Sequence, residues 1–250
     1  MNTYTIPKNT KIIVETSDLT KLHGTKPRVA HLHLQVLSKC VYGFLGPNGA
    51  GKTTTLKLLL GLAKPNQGKV YLFGDEVTDR NRLALLRRTG SLIESPSFYG
   101  HLTGMENLQI VAKLKGVPFS EIADVLHTVR LTSQQHKKVK HYSLGMKQRL
   151  GIAMALLGEP ELLILDEPTN GLDPAGIQEM RELIRSLPSD RHMTVILSSH
   201  LLSEVSQMAD QVGIINHGEM IFQGTQAELQ SQGNNLEEIF LTLTGGADSL

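Results

Sequence analysis

The sequence has 250 residues, enough to bury a large core as one domain or as one domain with a smaller lobe. Its 25 basic and 24 acidic residues give a formal net charge of +1, so charge provides no reason to expect a nucleic-acid partner. With one cysteine, Cys40, the chain cannot form an internal disulfide. The apolar residues beside Cys40 in the sequence predict a buried, inert thiol. The N-terminus lacks the apolar core of a signal peptide, and no apolar run approaches the roughly 18 to 20 residues of a membrane helix. Any membrane role is therefore expected to come through a partner.

Three strands are predicted before the first glycine-rich motif. They are residues 11–15, residues 29–36 and the apolar residues 40–45. The second alternates apolar and polar residues, which is typical of an antiparallel sheet with one wet face. On it, His31 and His33 share a face and could chelate a metal. No cysteine or carboxylate completes a site nearby, so a solvent-facing pair is the favoured interpretation.

A glycine-rich turn then joins the third strand to a helix predicted from residue 55, and it matches the pattern G-x-x-x-x-G-K-[ST]. Main-chain N–H groups of such a turn approach phosphate oxygens, the helix dipole adds positive charge, and Lys52 supplies a mobile full charge. Thr53 is placed to bind Mg²⁺ through its hydroxyl. The pattern predicts a nucleoside triphosphate site, against the weaker alternative of a plain connecting turn. The expected phosphate-binding residues are Gly46, Pro47, Asn48, Gly49, Ala50, Gly51, Lys52, Thr53 and Thr54.

The rest of the chain alternates strands and helices around one helical stretch. Between residues 102 and 157 apolar residues recur at helical spacing, which predicts a helical insertion. Outside it, the alternation predicts an α/β core with parallel strands and right-handed crossovers. We expect a single domain over residues 11–245, with the core at 11–93 and 159–224, the insertion at about 94–158 and short C-terminal helices at 225–245. The remaining predicted strands are 68–74, 90–94, 162–165, 193–197, 211–215 and 220–222, and the remaining predicted helices are 82–88, 177–187, 201–208, 227–230 and 236–243.

Acidic residues close the most apolar of these strands. Asp166 can hold Mg²⁺ directly or through water, and Glu167 can polarise a water for in-line attack on a terminal phosphate. Two adjacent acids there are hard to explain as packing, because an unpaired buried carboxylate carries a large desolvation penalty. His200 closes the next strand at the same crevice, which favours contact with the γ-phosphate over a structural role. Residues 142–149 are a serine-capped helix start, in isolation only a modest anion site.

Together these segments resemble the ATP-binding subunits of ABC transporters. The resemblance rests on a Walker A loop at 46–54, a signature loop at 143–148, a Walker B strand ending at 166–167 and a D-loop at 171–173, with a switch histidine at His200. It implies an ABC ATPase fold, in which a P-loop NTPase core with a parallel sheet carries an N-terminal antiparallel β subdomain and an inserted α-helical subdomain. It also implies ATP and Mg²⁺ as cofactors.

The resemblance further implies that two copies stack head to tail. Each ATP would lie between the Walker A loop of one copy and Ser143 and Gly145 of the other. Glu167 would act as general base, His200 would hold the γ-phosphate, and Asp173 would bridge the two sites.

Two positions depart from the family pattern. Where the family usually has Gln, this chain has Glu94. A carboxylate there would bind the metal more firmly than an amide does, and it would act in catalysis, but it lacks the N–H donor of the amide. The segment around Glu94 resembles the corresponding segment of the subgroup whose members confer self-immunity to lantibiotics and resistance to bacitracin. Where the family stacks an aromatic ring on adenine, this chain has His23, which predicts weaker discrimination of adenine. The alternative is that His23 points to solvent.

The resemblance thus implies an ATPase subunit on the cytoplasmic face of the membrane, bound to a separate permease that exports an antimicrobial peptide. The coupling helix of the permease is expected near Glu94, Phe98, Tyr99 and Leu102. Other ABC exporters and importers remain alternatives. A soluble ABC ATPase acting on nucleic acid or ribosomes is a further alternative, which the short helical insertion and the balanced charge disfavour.

Overall fold

The protein is described here from a computed structural model that covers residues 11–94, 97–231 and 240. Two sheets and a helical insertion make up the described part. The strands are β1 Ile12–His23, β2 Lys26–Leu32, β3 Gln35–Leu37, β4 Val41–Leu45, β5 Gln67–Leu72, β6 Asp75–Glu76, β7 Thr89–Leu92, β8 Leu162–Asp166, β9 Thr194–Ser199, β10 Gln211–Asn216 and β11 Glu219–Thr225. The helices are α1 Lys52–Leu59, α2 Arg82–Arg87, α3 Gly104–Lys115, α4 Glu121–Thr128, α5 Leu144–Leu156, α6 Pro174–Arg191, α7 Leu202–Val205 and α8 Gln226–Gln230.

The N-terminal sheet is antiparallel and has the order β2-β1-β5-β6, with β3 also pairing with β1. The strand predicted at 29–36 is wrong as one element, because it is divided between β2 and β3. Thr16 of β1 bridges the break, since its hydroxyl donates to the carbonyl of Leu32 and accepts from the N–H of Leu34, each at 2.8 Å. A buried hydroxyl thus takes the place of ladder hydrogen bonds.

The pair His31 and His33 lies beside this break, and both side chains are exposed, as the favoured interpretation predicted. One carboxylate does lie nearby, because Oδ1 of Asp18 is 2.6 Å from Nδ1 of His31. Asp18 and His31 are 13 residues apart in the sequence, and the pairing of β1 with β2 brings them together. Within the described ranges no group of three or more His, Cys, Asp or Glu side chains is arranged to hold a metal.

The second sheet has the order β11-β10-β4-β9-β8-β7 and is parallel except for the edge strand β11. The inner strands are buried on both faces, as their continuous apolar sequences require. Since β9 lies between β4 and β8, the carboxyl ends of these three strands meet at one edge. The predicted phosphate loop at 46–54, the acids Asp166 and Glu167 and the predicted switch histidine His200 therefore lie at that edge.

The helical insertion packs on this sheet through a shared apolar cluster. Leu108 of α3, Leu126 of α4 and Leu150 of α5 are fully buried in the same cluster as Leu165 and Leu197 of the sheet. Helix α3 begins with a capping box formed by Thr103 and Glu106. Because one core runs through insertion and sheet, the predicted division into 94–158 and the flanking core stays a prediction.

Several predicted boundaries are wrong. Helix α1 begins at Lys52 rather than at residue 55, and β7 ends at Leu92 rather than at Glu94. Helix α6 extends beyond 177–187 to Pro174–Arg191, because Asp173 caps it and proline is well tolerated in the first turn. The predicted helix 236–243 lies outside the described residues except for residue 240.

Candidate active site

Two glycines of the phosphate loop, Gly46 and Gly51, could not carry a side chain without displacing backbone atoms of their neighbours. Gly51 has φ 108°, and a Cβ there would lie 2.3 Å from the carbonyl oxygen of Arg28. The turn between β10 and β11 braces the loop, since the N–H of Gly218 donates to the carbonyl of Ala50 at 2.9 Å. Neither a side-chain cap nor an acidic residue occupies the first turn of α1. Its N–H groups are therefore available to an anion.

Lys52 lies at the mouth of this loop with only 5% of its surface exposed. Its Nζ donates to the carbonyls of Gly46 at 2.7 Å and Pro47 at 3.2 Å, and it lies 3.5 Å from Oε1 of Glu167. Burial lowers the pKa of Lys52, and the neighbouring Glu167 carboxylate opposes that shift. A cation is thus held where the loop, the helix and the Walker B strand converge.

Asp166 joins two elements that the sequence separates by more than a hundred residues. Its Oδ2 accepts a hydrogen bond from Oγ1 of Thr53 at 2.8 Å, and its Oδ1 accepts one from Oγ of Ser198 at 2.6 Å. Carboxylate and hydroxyl oxygens are the protein ligands that Mg²⁺ prefers. The Thr53–Asp166 pair therefore fits the metal role predicted for it.

Glu167 follows directly, with a backbone φ of 46° that is uncommon for a residue other than glycine. Its carboxylate lies between two basic side chains, 3.5 Å from Nζ of Lys52 and 3.3 Å from Nδ1 of His200. The contact with His200 lacks the alignment of a hydrogen bond. A cavity of about 220 Å³ lies against Glu167 and His200. The structure thus brings the predicted base, switch histidine and phosphate-loop lysine together, while the cavity is lined by Gly171 and Leu172 of the D-loop and not by Lys52.

The signature loop and the D-loop lie against each other within one chain. Ser143 caps α5 by accepting from the N–H of Met146 at 3.2 Å, and Asp173 caps α6 by accepting from the N–H of Gly176 at 3.1 Å. A Cβ on Gly145 would lie 3.8 Å from Cδ2 of Leu172 in the D-loop. The two loops are therefore positioned as one surface.

Glu94 and His23 have different surroundings from the residues of this cluster. Oε1 of Glu94 lies 2.6 Å from Nζ of Lys57 on α1, and 65% of the Glu94 side chain is exposed. This pairing offsets the extra negative charge that we expected beside the triphosphate, while the predicted role as a metal ligand stays a prediction. His23 ends β1 and is exposed, so its stacking on adenine also stays a prediction.

Two further side chains at this edge were not predicted. Ser198 contacts both Walker B acids, because its Oγ also accepts from the N–H of Glu167 at 2.9 Å. Glu204 of α7 accepts from Oγ1 of Thr169 at 2.6 Å and from Oγ of Ser199 at 3.3 Å. The available signal was two serines closing an otherwise apolar strand, where the pattern alone favours apolar residues.

Comparison with known proteins decides what this arrangement belongs to. A family model described as ABC transporter matches residues 29–170. The chain belongs to the ABC transporter family. A solved ATP-binding subunit of an ABC transporter superposes with a TM-score of 0.81 at 28% identity, covering 92% of this chain and 99% of that one. The predicted ABC ATPase fold is confirmed.

Two curated relatives show how specific the family resemblance is. The ABC transporter chain described here is 53% identical over 210 residues to the bacitracin transport ATP-binding protein BcrA of Bacillus licheniformis, covering 84% of this chain and 68% of the relative. It is 43% identical over 229 residues to the lantibiotic transport ATP-binding protein SrtF of Streptococcus pyogenes, covering 91% and 96%. The predicted resemblance to this subgroup is confirmed. The chain is the ATP-binding subunit of an ABC transporter and an ATPase. None of the helices in the described ranges has the length and hydropathy to cross a membrane.

Proposed function

We propose that this ATPase subunit drives a separate membrane permease from the cytoplasmic face, and that the complex exports an antimicrobial peptide. The observation that supports the substrate class is the identity of 53% to a bacitracin transport protein and 43% to a lantibiotic transport protein, against 28% to the solved ATP-binding subunit. Export of such a peptide would give the cell immunity or resistance.

The roles of the site residues follow from their contacts. When bound, ATP supplies the phosphoryl group and Mg²⁺ offsets its charge. The N–H groups of residues 46–54, apart from Pro47, which has none, and the Lys52 ammonium would bind the phosphates, and the oxygens of Thr53 and Asp166 would hold the metal. Glu167 would accept the proton of the attacking water, because its carboxylate lies beside Lys52 and His200, and their positive charge favours the ionised form that can accept a proton.

His200 would contact the terminal phosphate beside Glu167. Its ring is one third exposed, with 34% of the side-chain surface accessible, and Nδ1 faces Glu167. The other ring nitrogen is thereby left for the γ-phosphate. This division of roles assigns proton transfer to Glu167 and charge stabilisation to Lys52 and His200.

A second copy of the chain completes the nucleotide site in this proposal. Ser143 and Gly145 form one surface with the D-loop, and Leu144 between them has 49% of its surface exposed. Such a surface suits a partner that presents its own phosphate loop. The nucleotide would then be enclosed between main-chain N–H groups of both copies.

Resistance profiling tests the proposed substrate class. Cells lacking this subunit are challenged with lantibiotics, bacitracin and unrelated drugs, and the subunit is restored as wild type or as Glu167→Gln. We expect selective sensitivity to one class of antimicrobial peptide, rescued by the wild type and not by Glu167→Gln. If the parent cells are shown to produce the complex, unchanged sensitivity to every peptide on loss of the subunit would refute the proposed substrate class.

A further inference from the structure

Ser198 occupies a position on β9 directly beside the Walker B acids. In the register of the two parallel strands it pairs with Asp166, so both side chains lie on the same face of the sheet. The residue is fully buried, with 0% of its surface exposed. A buried hydroxyl requires hydrogen-bond partners, and those of Ser198 are both in the Walker B motif.

Its hydroxyl connects the two acids in opposite senses. Oγ donates to Oδ1 of Asp166 at 2.6 Å and accepts from the main-chain N–H of Glu167 at 2.9 Å. The first contact orients the carboxylate whose other oxygen faces Thr53. The second holds the backbone of Glu167, which has a φ of 46° and whose side chain lies between Lys52 and His200.

We propose that Ser198 is a positioning residue for hydrolysis, which fixes the Asp166 carboxylate and the Glu167 backbone relative to each other. The proposal rests on the roles proposed above for Asp166 and Glu167. Thr53 also orients Asp166, but Thr53 is itself a proposed metal ligand. The hydrogen bond from Ser198 is therefore the contact to Asp166 that stays in place when the Thr53 hydroxyl turns to a metal ion.

The opposite face of β9 holds the next part of the same segment. Ser199, the following residue, lies within 3.3 Å of Oε2 of Glu204, which also accepts from Oγ1 of Thr169 at 2.6 Å. The segment from Asp166 to Thr169 is thus linked to the end of β9 directly through Ser198 and, on the other face, through Glu204 of α7. Only the Ser198 side contacts the acids, which separates its role from general support of the turn.

The variant Ser198→Ala removes the hydroxyl, and Thr194→Val is its matched control. Thr194 is 1% exposed at the other end of β9, and its Oγ1 accepts from the N–H of Lys39 at 2.8 Å. Both variants therefore remove a buried hydroxyl from the same strand, but only one removes it from the Walker B acids. Ser198→Thr restores a hydroxyl at the site, and Ser198→Cys replaces the alanine variant if that does not fold.

Two readouts are measured for each variant. We expect Ser198→Ala to lower kcat for ATP about tenfold to a hundredfold, as for other misplaced catalytic groups, with little change in KM for ATP. The second readout is Tm, measured before ATP is hydrolysed. We expect Ser198→Ala to keep the gain in Tm from ATP with EDTA. The additional gain when Mg²⁺ replaces EDTA should be smaller than in the wild type. Thr194→Val is expected to keep both properties, and Ser198→Thr to recover them in part.

Wild-type kcat and wild-type Mg²⁺-dependent stabilisation in Ser198→Ala would overturn the positioning role. Equal losses in Thr194→Val would also overturn it, because they would show a general effect of weakening β9. Failure of the proposed site itself is distinguishable, since the wild type would then show neither ATP hydrolysis nor a gain in Tm with ATP and Mg²⁺.

Discussion

At the scale of single residues, four side chains with predicted roles in the site lie close together, while the roles themselves stay predictions. Lys52, Asp166, Glu167 and His200 meet at one edge of the sheet, because each follows or closes a predicted parallel strand. Glu94 shows the limit of such reasoning. It stands where the family usually has Gln, but its ion pair with Lys57 depends on how β7 and α1 pack, which sequence spacing does not encode. Ser198 was missed because a serine in a strand usually indicates no particular role.

Cys40 provides a residue-scale prediction on pH. Burial raises the pKa of its thiol from 9.0 to about 12, and Sγ donates to the carbonyl of Leu37 at 3.2 Å. Above pH 9 the unfolded chain releases this proton while the folded chain retains it, so this thiol makes the folded state less favourable as pH rises toward 12. We expect the stability of the wild type to fall more steeply over this range than that of Cys40→Ala, measured by urea unfolding.

The same thiol is expected to resist modification in the folded protein. At about pH 8 a disulfide reagent such as DTNB should react with Cys40 only after denaturant is added, because the thiolate is the reactive form. Rapid stoichiometric reaction in native buffer would contradict the buried, protonated state.

At the scale of elements, strands were predicted more accurately where their sequence was uniformly apolar. Residues 162–165 match β8 within one residue, whereas β1 extends to His23 through polar residues that gave no strand signal. Those polar side chains belong to an antiparallel sheet with one solvent-facing side. The pairing of β1 with its neighbours also contains register shifts, which interrupt the alternation of apolar and polar residues that predicts a strand. Helix starts were misjudged where a glycine or an aspartate rather than an apolar repeat sets the first turn, as at α1 and α6.

Helix α5 carries the signature loop at its start, and its end is held by a lysine of α3. Nζ of Lys115 donates to the carbonyls of Met154 at 3.1 Å, Ala155 at 3.3 Å and Leu157 at 2.8 Å, which satisfies groups that a helix end leaves without partners. We expect Lys115→Met to lower the free energy of unfolding by about 1–3 kcal/mol, as for loss of hydrogen bonds to a charged group. Urea unfolding would measure this, with Lys113→Met on the exposed side of α3 as control. Equal stability of the two variants would refute the role of Lys115.

At the scale of the whole molecule, the sequence predicted the α/β core, the inserted helices and the convergence of the motifs, because strand alternation and motif order determine them together. It did not predict that one apolar cluster would join the insertion to the sheet. That cluster depends on the packing of side chains from distant segments. On the proposed permease surface Tyr99 is 55% exposed, while Phe98 and Leu102 are half-buried.

This surface gives a prediction about coupling to the permease. We expect Tyr99→Asp to abolish peptide export while leaving ATP hydrolysis by the isolated subunit within about twofold, because an exposed aromatic anchor contributes to binding rather than to chemistry. Phe119→Asp, at an aromatic residue with 54% exposure elsewhere on the insertion, is the matched control. Full export in cells carrying Tyr99→Asp would exclude this residue from the docking surface.

The central claim is that a polyphosphate bound by the Walker A loop of one copy is enclosed by the signature loop of another. Light scattering on purified Glu167→Gln protein, with and without ATP and Mg²⁺, tests it most directly. We expect a dimer when ATP and Mg²⁺ are both present. We expect a monomer when ATP is omitted or when the protein also carries Lys52→Ala. A protein that binds ATP with Mg²⁺ and yet stays monomeric as Glu167→Gln would contradict it.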